Sequence, residues 1–217
     1  MSLVDGYDKG IDWLREGDVH PGDKATVIVK GSNGLFAGDM RFGMTAAFGK
    51  AAPEKEPAKD AAADVAERTE RSKSAKLLIN AKAETVREKK SFAESIAECR
   101  CVIPAKKFYE WDKDRNKAEF SSLTEKSVYL AGIYRYEDNE RAEQAAPKEK
   151  AAGNGHFVIL TTAANDSMKP VHDRMPLILT RDQIVPWLSD AEKADEILSQ
   201  TPADLSVYRE FEQLSLF

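Results

Sequence analysis

The sequence predicts an α+β fold with a mainly antiparallel sheet. Three observations carry that expectation: many short apolar segments rich in β-branched and aromatic residues, turn residues between them, and no regular strand-helix-strand alternation. A chain of 217 residues supports one substantial core, so a single domain spanning 1–217 is expected.

In chain order, Tyr7–Arg15 reads as a helix. Val27-Ile28-Val29 lies between Pro21-Gly22-Asp23 and Gly31-Ser32-Asn33-Gly34, the pattern of a strand running into a turn. Leu77-Leu78-Ile79, Cys101-Val102-Ile103 and Phe108-Tyr109-Glu110-Trp111 are further strands, the last folded into a hairpin by Asp112-Lys113-Asp114-Arg115-Asn116. Val128–Tyr134, Phe157–Leu160 and Pro176–Leu179 complete the series. Helices are expected over Ser91–Glu98, over Arg181–Leu188, where Thr180 and Gln183 have capping-box spacing, and over Ala191–Leu198, with Thr201-Pro202 starting another turn.

Two stretches cannot contribute to a core. Residues 50–74 are rich in Ala, Glu and Lys with Val65 as their only large apolar residue, and 137–155 likewise lack large apolar side chains. Both are expected as solvated insertions in surface loops.

Hydrophobic residues are 42% and charged residues 32%, which is globular usage, and no apolar run approaches the roughly 20 residues that span a bilayer. No membrane association is expected, and with no visible secretory signal the cytoplasm is the expected location. Lys plus Arg is 32 and Asp plus Glu is 37, so the net charge is 32 − 37 = −5 and any nucleic-acid surface must be local. Cys99 and Cys101 are too close for an ordinary disulfide and lack the second ligand pair of a zinc site. They read as reduced thiols at a helix-to-strand junction.

Walker A, dinucleotide-binding, HExxH and Gly-x-Ser-x-Gly signatures are absent, so no cofactor and no metal is expected. Three polar clusters remain at strand ends: Asn80–Thr85, Phe108–Trp111 and Pro170–Pro176. Glu110 lies between two aromatics and points to the face opposite both; partial burial would raise its pKa and make it a general acid or base, and the alternative is a solvated strand carboxylate. His172 sits between Pro170 and Pro176, a segment that holds an imidazole at low entropic cost; a histidine bonded to a backbone carbonyl is the alternative. Asn80 either hydrogen-bonds a substrate or simply ends its strand. Lys82, Arg87, Lys89 and Lys90, with Arg41, Lys106, Lys107 and Arg174, supply a local basic surface or ordinary solvated charges.

In this order the clusters resemble the SRAP family, the SOS-response-associated proteins. The resemblance rests on Asn80-Ala81-Lys82-Ala83-Glu84-Thr85, Cys101–Trp111, Thr161-Thr162-Ala163-Ala164-Asn165 and His172-Asp173-Arg174-Met175-Pro176. Met40-Arg41-Phe42-Gly43-Met44 is similar to the family's Arg-Trp-Gly segment, with Phe for Trp. The resemblance implies a barrel-like β core with flanking helices. It also implies capture of abasic sites in single-stranded DNA, by an N-terminal cysteine whose amine and thiol close a thiazolidine ring on the sugar aldehyde. On that pattern Asn80, Glu110 and His172 are the catalytic residues, and Arg41, Phe42, Lys82, Trp111 and Arg174 contact DNA. A monomer is the expected state.

The sequence departs from the pattern in three places. Met1-Ser2-Leu3 reads as a leader joined to a chain whose cysteine start is missing, so stable cross-linking is not expected of it. Lys82 replaces an arginine that would grip phosphate bidentately. Residues 50–74 replace part of a DNA-facing loop. Two other readings stay open: a peptidase that trims its own N-terminal extension, and a non-catalytic single-strand or partner-binding module.

Overall fold

A computed structural model of the chain describes residues 17–31, 34–45, 77–136 and 155–209. The expected helix at Tyr7–Arg15 and the insertion at 50–74 lie outside the described residues, as does the insertion at 137–155 except for its last residue, Gly155, which opens a strand.

Thirteen strands and three α-helices are described. The strands are β1 (Lys24–Gly31), β2 (Gly34–Phe42), β3 (Met44–Thr45), β4 (Leu77–Leu78), β5 (Asn80–Lys82), β6 (Arg100–Ala105), β7 (Phe108–Trp111), β8 (Lys117–Ser122), β9 (Val128–Tyr136), β10 (Gly155–Ala163), β11 (Arg174–Pro176), β12 (Ile178–Leu179) and β13 (Leu205–Arg209). The helices are α1 (Ala93–Glu98), α2 (Ile184–Ser189) and α3 (Ala191–Leu198). The fold is mixed, mostly strands with few helices.

Eight strands form the main sheet in the order β11-β10-β2-β1-β6-β9-β12, with β5 on β10 and a further pairing of β10 with β9. The pairing path therefore runs from β10 through β2, β1, β6 and β9 and returns to β10. The described pairings are antiparallel except β10 with β2 and β10 with β5. Those two parallel contacts join segments far apart in sequence, which strand-by-strand reading cannot anticipate.

Along β6, β9 and much of β1 and β10 both faces of this sheet are buried, which is why those strands read as apolar runs without clean alternation. Ile28, Val102, Ala131, Ile133, Val158 and Leu160 point into one cluster with Ile96, Trp187, Leu188 and Ile197 of the helices. Their neighbours Val27, Val29, Cys101, Ile103, Leu130 and Phe157 point into another with Phe120, Met168, Met175 and Leu205. Arg100, 8% exposed, fastens the helical side. Its Nε donates to the Trp187 carbonyl (2.6 Å) and its Nη1 to the Ile96 and Ala97 carbonyls (2.9 and 2.8 Å), satisfying acceptors in the last turns of α1 and α2 with a cation. The Trp187 indole N–H in turn donates to the Cys101 carbonyl (2.9 Å).

Several elements differ in detail from the expectation. The Pro176–Leu179 strand breaks at Leu177, whose N–H bonds the Leu160 carbonyl and whose carbonyl accepts from Ala131 N, both at 2.8 Å. There the chain changes partner from β10 to β9. The Thr180–Gln183 capping box is present, but the helix opens as a 3-10 turn over Arg181–Gln183 before α2. Strand β13 follows where only a turn was expected. Gly43, at φ +112°, separates β2 from β3; a Cβ there would also meet the Leu77 side chain at 2.7 Å. No described helix is long and apolar enough to cross a membrane.

Trp187→Ala removes the largest fully buried side chain and a buried hydrogen bond. It is expected to cost about 3–5 kcal/mol, read as a lower urea midpoint at unchanged m-value. A loss under about 1 kcal/mol would contradict this packing.

Candidate functional site

Strand β10 gathers the site. Asn80, Ala81 and Lys82 lie opposite Ile159, Leu160 and Thr161 on one edge, while Pro176, Met175 and Arg174 lie opposite Thr161, Thr162 and Ala163 on the other. Phe42 is opposite Phe157 on the first edge, about 7 Å along the strand from Asn80. Residues paired across strands share a face, so Phe42, Asn80, Lys82 and Arg174 all stand on the face of Phe157, Ile159 and Thr161. Arg41 is opposite His156 and belongs to the other face, where its Nη1 bonds the Gly22 carbonyl. The structure thus brings four of the five predicted main-sheet residues to one side and separates Arg41 from them.

Arg174 braces this face. Its Nη1 and Nη2 donate to the two Glu84 carboxylate oxygens (2.6 and 2.9 Å), and Nη2 also donates to the Thr161 carbonyl (2.6 Å). The guanidinium therefore reaches across β10 from β11 to the 3-10 turn Ala83–Thr85 that follows β5. Its hydrogen bond holds the Glu84 carboxyl below the usual glutamate range against a weaker opposing effect of burial. Arg174 Nε–H is buried without a partner, at a cost of about 1–3 kcal/mol that the bidentate pair offsets in part.

Glu110 and His172 come from separate elements. The small sheet β13-β8-β7 places Glu110 in register with Ala118 and Arg209, on the face where Phe108 stacks on Phe120 (centroids 5.3 Å). Tyr109 and Trp111 point the other way. Lys117 Nζ lies 3.5 Å from the Tyr109 ring centroid, and Trp111 is 51% exposed. Asp112 fixes the adjoining hairpin, accepting from the Asp114 and Asn116 backbone N–H groups, both at 2.9 Å, with Arg115 left-handed at φ 66°.

Burial pushes the Glu110 carboxyl above the ordinary glutamate range, and the nearby His172 imidazole is the charge that opposes it. His172 Nδ1 accepts from Arg174 N–H (3.0 Å) and lies 3.2 Å from Asp173 Oδ1, so a neutral ring and a protonated ring each have a partner. The loop that presents His172 hangs on Asn165, 5% exposed. Its Oδ1 accepts from Ser167 Oγ (2.7 Å) and Met168 N (3.1 Å), while its Nδ2 donates to the Pro202 and Ala203 carbonyls (3.2 and 2.8 Å). Asn165 and Glu84 are structural supports of these segments that the sequence alone does not single out. Both stood inside the quoted motifs, but their partners lie 90 residues away for Glu84 and 37 to 38 for Asn165.

Neither native thiol joins this group. Cys99 closes α1 and Cys101 is fully buried on β6, and burial raises the pKa of both. Among the described residues no group of three or more His, Cys, Asp or Glu is placed to hold a metal ion.

A half-buried carboxyl close enough to an imidazole to feel its charge is a pairing able to handle protons, here in a mixed α+β protein. The family described as SOS response associated peptidase (SRAP) matches residues 8–213, and the chain belongs to it. It is 34% identical over 125 residues to the abasic site processing protein YoaM of Bacillus subtilis, covering 56% of this chain and 51% of the relative. It is 30% identical over 207 residues to the abasic site processing protein YoqW of the same organism, covering 88% of this chain and 79% of the relative. The matched segment thus spans about half the length of the first relative and most of the second. A solved protein of Bordetella bronchiseptica shares the fold, with a TM-score of 0.63 at 20% identity over 97% of each chain.

The Glu84 pKa lies below its unfolded value of 4.5, so the Arg174–Glu84 pair contributes stability above that pH and loses it as pH falls through the depressed value. Glu84 is 47% exposed, so the screened contribution is about 1 kcal/mol or less. Urea unfolding between about pH 7 and pH 3 is expected to show a shallower acid loss for Glu84→Gln than for the parent. Identical acid slopes would remove the pair from this role.

Proposed function

We propose that the protein processes abasic sites in single-stranded DNA, with Glu110 and His172 moving the protons. The observation that carries this reading is their juxtaposition: a carboxyl raised by burial next to an imidazole that has a partner in either protonation state. The names of its relatives supply the substrate class.

The abasic sugar exists mainly as a closed hemiacetal, and one of the pair assists its opening to the aldehyde. An N-terminal amine then adds to the carbonyl carbon and, after loss of one water, leaves an imine. Where the N-terminal residue is cysteine, its thiol adds across the imine carbon and the nitrogen takes the proton, closing a thiazolidine. Glu110 in its protonated form serves as the acid for water loss, and His172 relays protons in the remaining steps. Asn80, exposed on β5 at the same edge, positions the N-terminal residue through its amide.

Lys82 and Phe42 on the same face, Trp111 on the outer face of β7 and the rim of Arg174 are the proposed DNA contacts; Arg41 reaches only a strand that wraps the β2 edge. An unpaired strand suits this arrangement because the sugar aldehyde is reached without melting a duplex and bases stack on exposed aromatics. The pairing path that returns to β10 supports the barrel-like core implied by the family resemblance. A single domain, a monomeric state and a cytoplasmic location complete the proposal.

A denaturing gel of protein mixed with single-stranded DNA bearing one abasic site tests it. A version beginning Met-Cys-Gly-Arg-Tyr in place of Met1-Ser2-Leu3 is expected to give a shifted band that survives denaturation. Glu110→Gln and His172→Ala in that version slow its appearance by about 10²-fold or more. If the cysteine version gives no shift, or both variants react at the parent rate, the assignment fails.

A further inference from the structure

Past Arg209 the sequence reads Glu-Phe-Glu-Gln-Leu-Ser-Leu-Phe over Glu210–Phe217, outside the described residues. The family match stops at Gln213, so Leu214, Ser215, Leu216 and Phe217 lie beyond the shared segment. Three of these four are large and apolar, whereas 50–74 holds Val65 alone of that kind. Apolar side chains concentrated in so short a segment, outside the family match, suit packing on a surface, the chain's own or a partner's.

The order of side chains specifies what kind. Gln213 offers an amide that can both donate and accept, Leu214 follows it, and the Leu216-Phe217 pair stands three and four residues on. A peptide of this form suits a preformed apolar cleft with one polar group at its mouth. Gln-Leu-Ser-Leu-Phe also has the pattern of the short peptides by which bacterial polymerases and repair proteins hold the sliding clamp, the protein ring that encircles DNA. We infer that Gln213–Phe217 is a docking peptide for the sliding clamp.

The fold fixes the point from which this peptide departs. Arg209 ends the edge strand of the small sheet in register with Ala118, and through it with Glu110. Two strand spacings, about 10 Å, separate the Arg209 and Glu110 backbones. The four steps from Arg209 to Gln213 add at most about 14 Å. The start of the peptide, and so the clamp's point of attachment, is thus kept within about 25 Å of Glu110. The chain's net charge of −5 gives it no general attraction to DNA, and a tether replaces that attraction with a high effective concentration.

Binding to the clamp is measured without DNA, so its failure is separate from failure of the abasic-site reading. Titration of the labelled full chain with a purified bacterial sliding clamp, followed by anisotropy, is expected to saturate in the micromolar range. Leu216→Ala with Phe217→Ala should weaken binding at least tenfold while leaving thermal melting unchanged and, when placed in the version beginning Met-Cys, leaving its abasic-site gel shift unchanged. No binding up to about 100 μM clamp, or equal binding by parent and variant, overturns the inference. So does a lowered melting temperature with unchanged clamp affinity, which assigns the segment to the chain's own surface.

Discussion

A β-strand has only two hydrogen-bonding edges, and β10 divides both of them. One edge serves β9 and then β11; the other serves β2 and then β5. That division sets Asn80 and Lys82 on one side of Thr161 and the strand leading from His172 on the other. The handovers need short strands, a kink at Gly43 and a break at Leu177, and each occurs where β10 changes neighbour. Because both faces of the sheet are buried where β9 and β2 pair with it, only the far end of β10 can present polar groups to solvent.

Two ion-capable pairs at that end do opposite things to a carboxyl. Glu84 is gripped by a bidentate guanidinium and held in its charged form, which suits bracing. Glu110 has no such grip; burial favours its neutral form, and His172 alone works against that. A rigid charged pair beside an adjustable one would keep the geometry fixed during the proton transfers proposed for Glu110 and His172.

Much of the fold was legible because apolar runs such as Cys101–Ile103 and Phe157–Leu160 mark strands buried on both faces. Strand β13 was not, since Leu205 is its only buried residue and Ser206, Val207 and Tyr208 carry no inward alternation. The parallel pairings of β10 are tertiary choices with no local signature. Glu110 and His172 are candidates from their sequence neighbours, each with a structural alternative that local sequence leaves open. The Glu84–Arg174 brace and the Asn165 anchor needed the fold, and the separation of Arg41 from Phe42 needed the register that sends adjacent residues to opposite faces.

Cys99 and Cys101 are the chain's only cysteines, and burial keeps both thiols protonated at neutral pH. Alkylating reagents act on thiolates, so burial slows their reaction with both native thiols, and most of all with Cys101, which is fully buried while Cys99 is half-buried. A cysteine introduced at an exposed position is therefore the group that a maleimide dye or spin label reaches first.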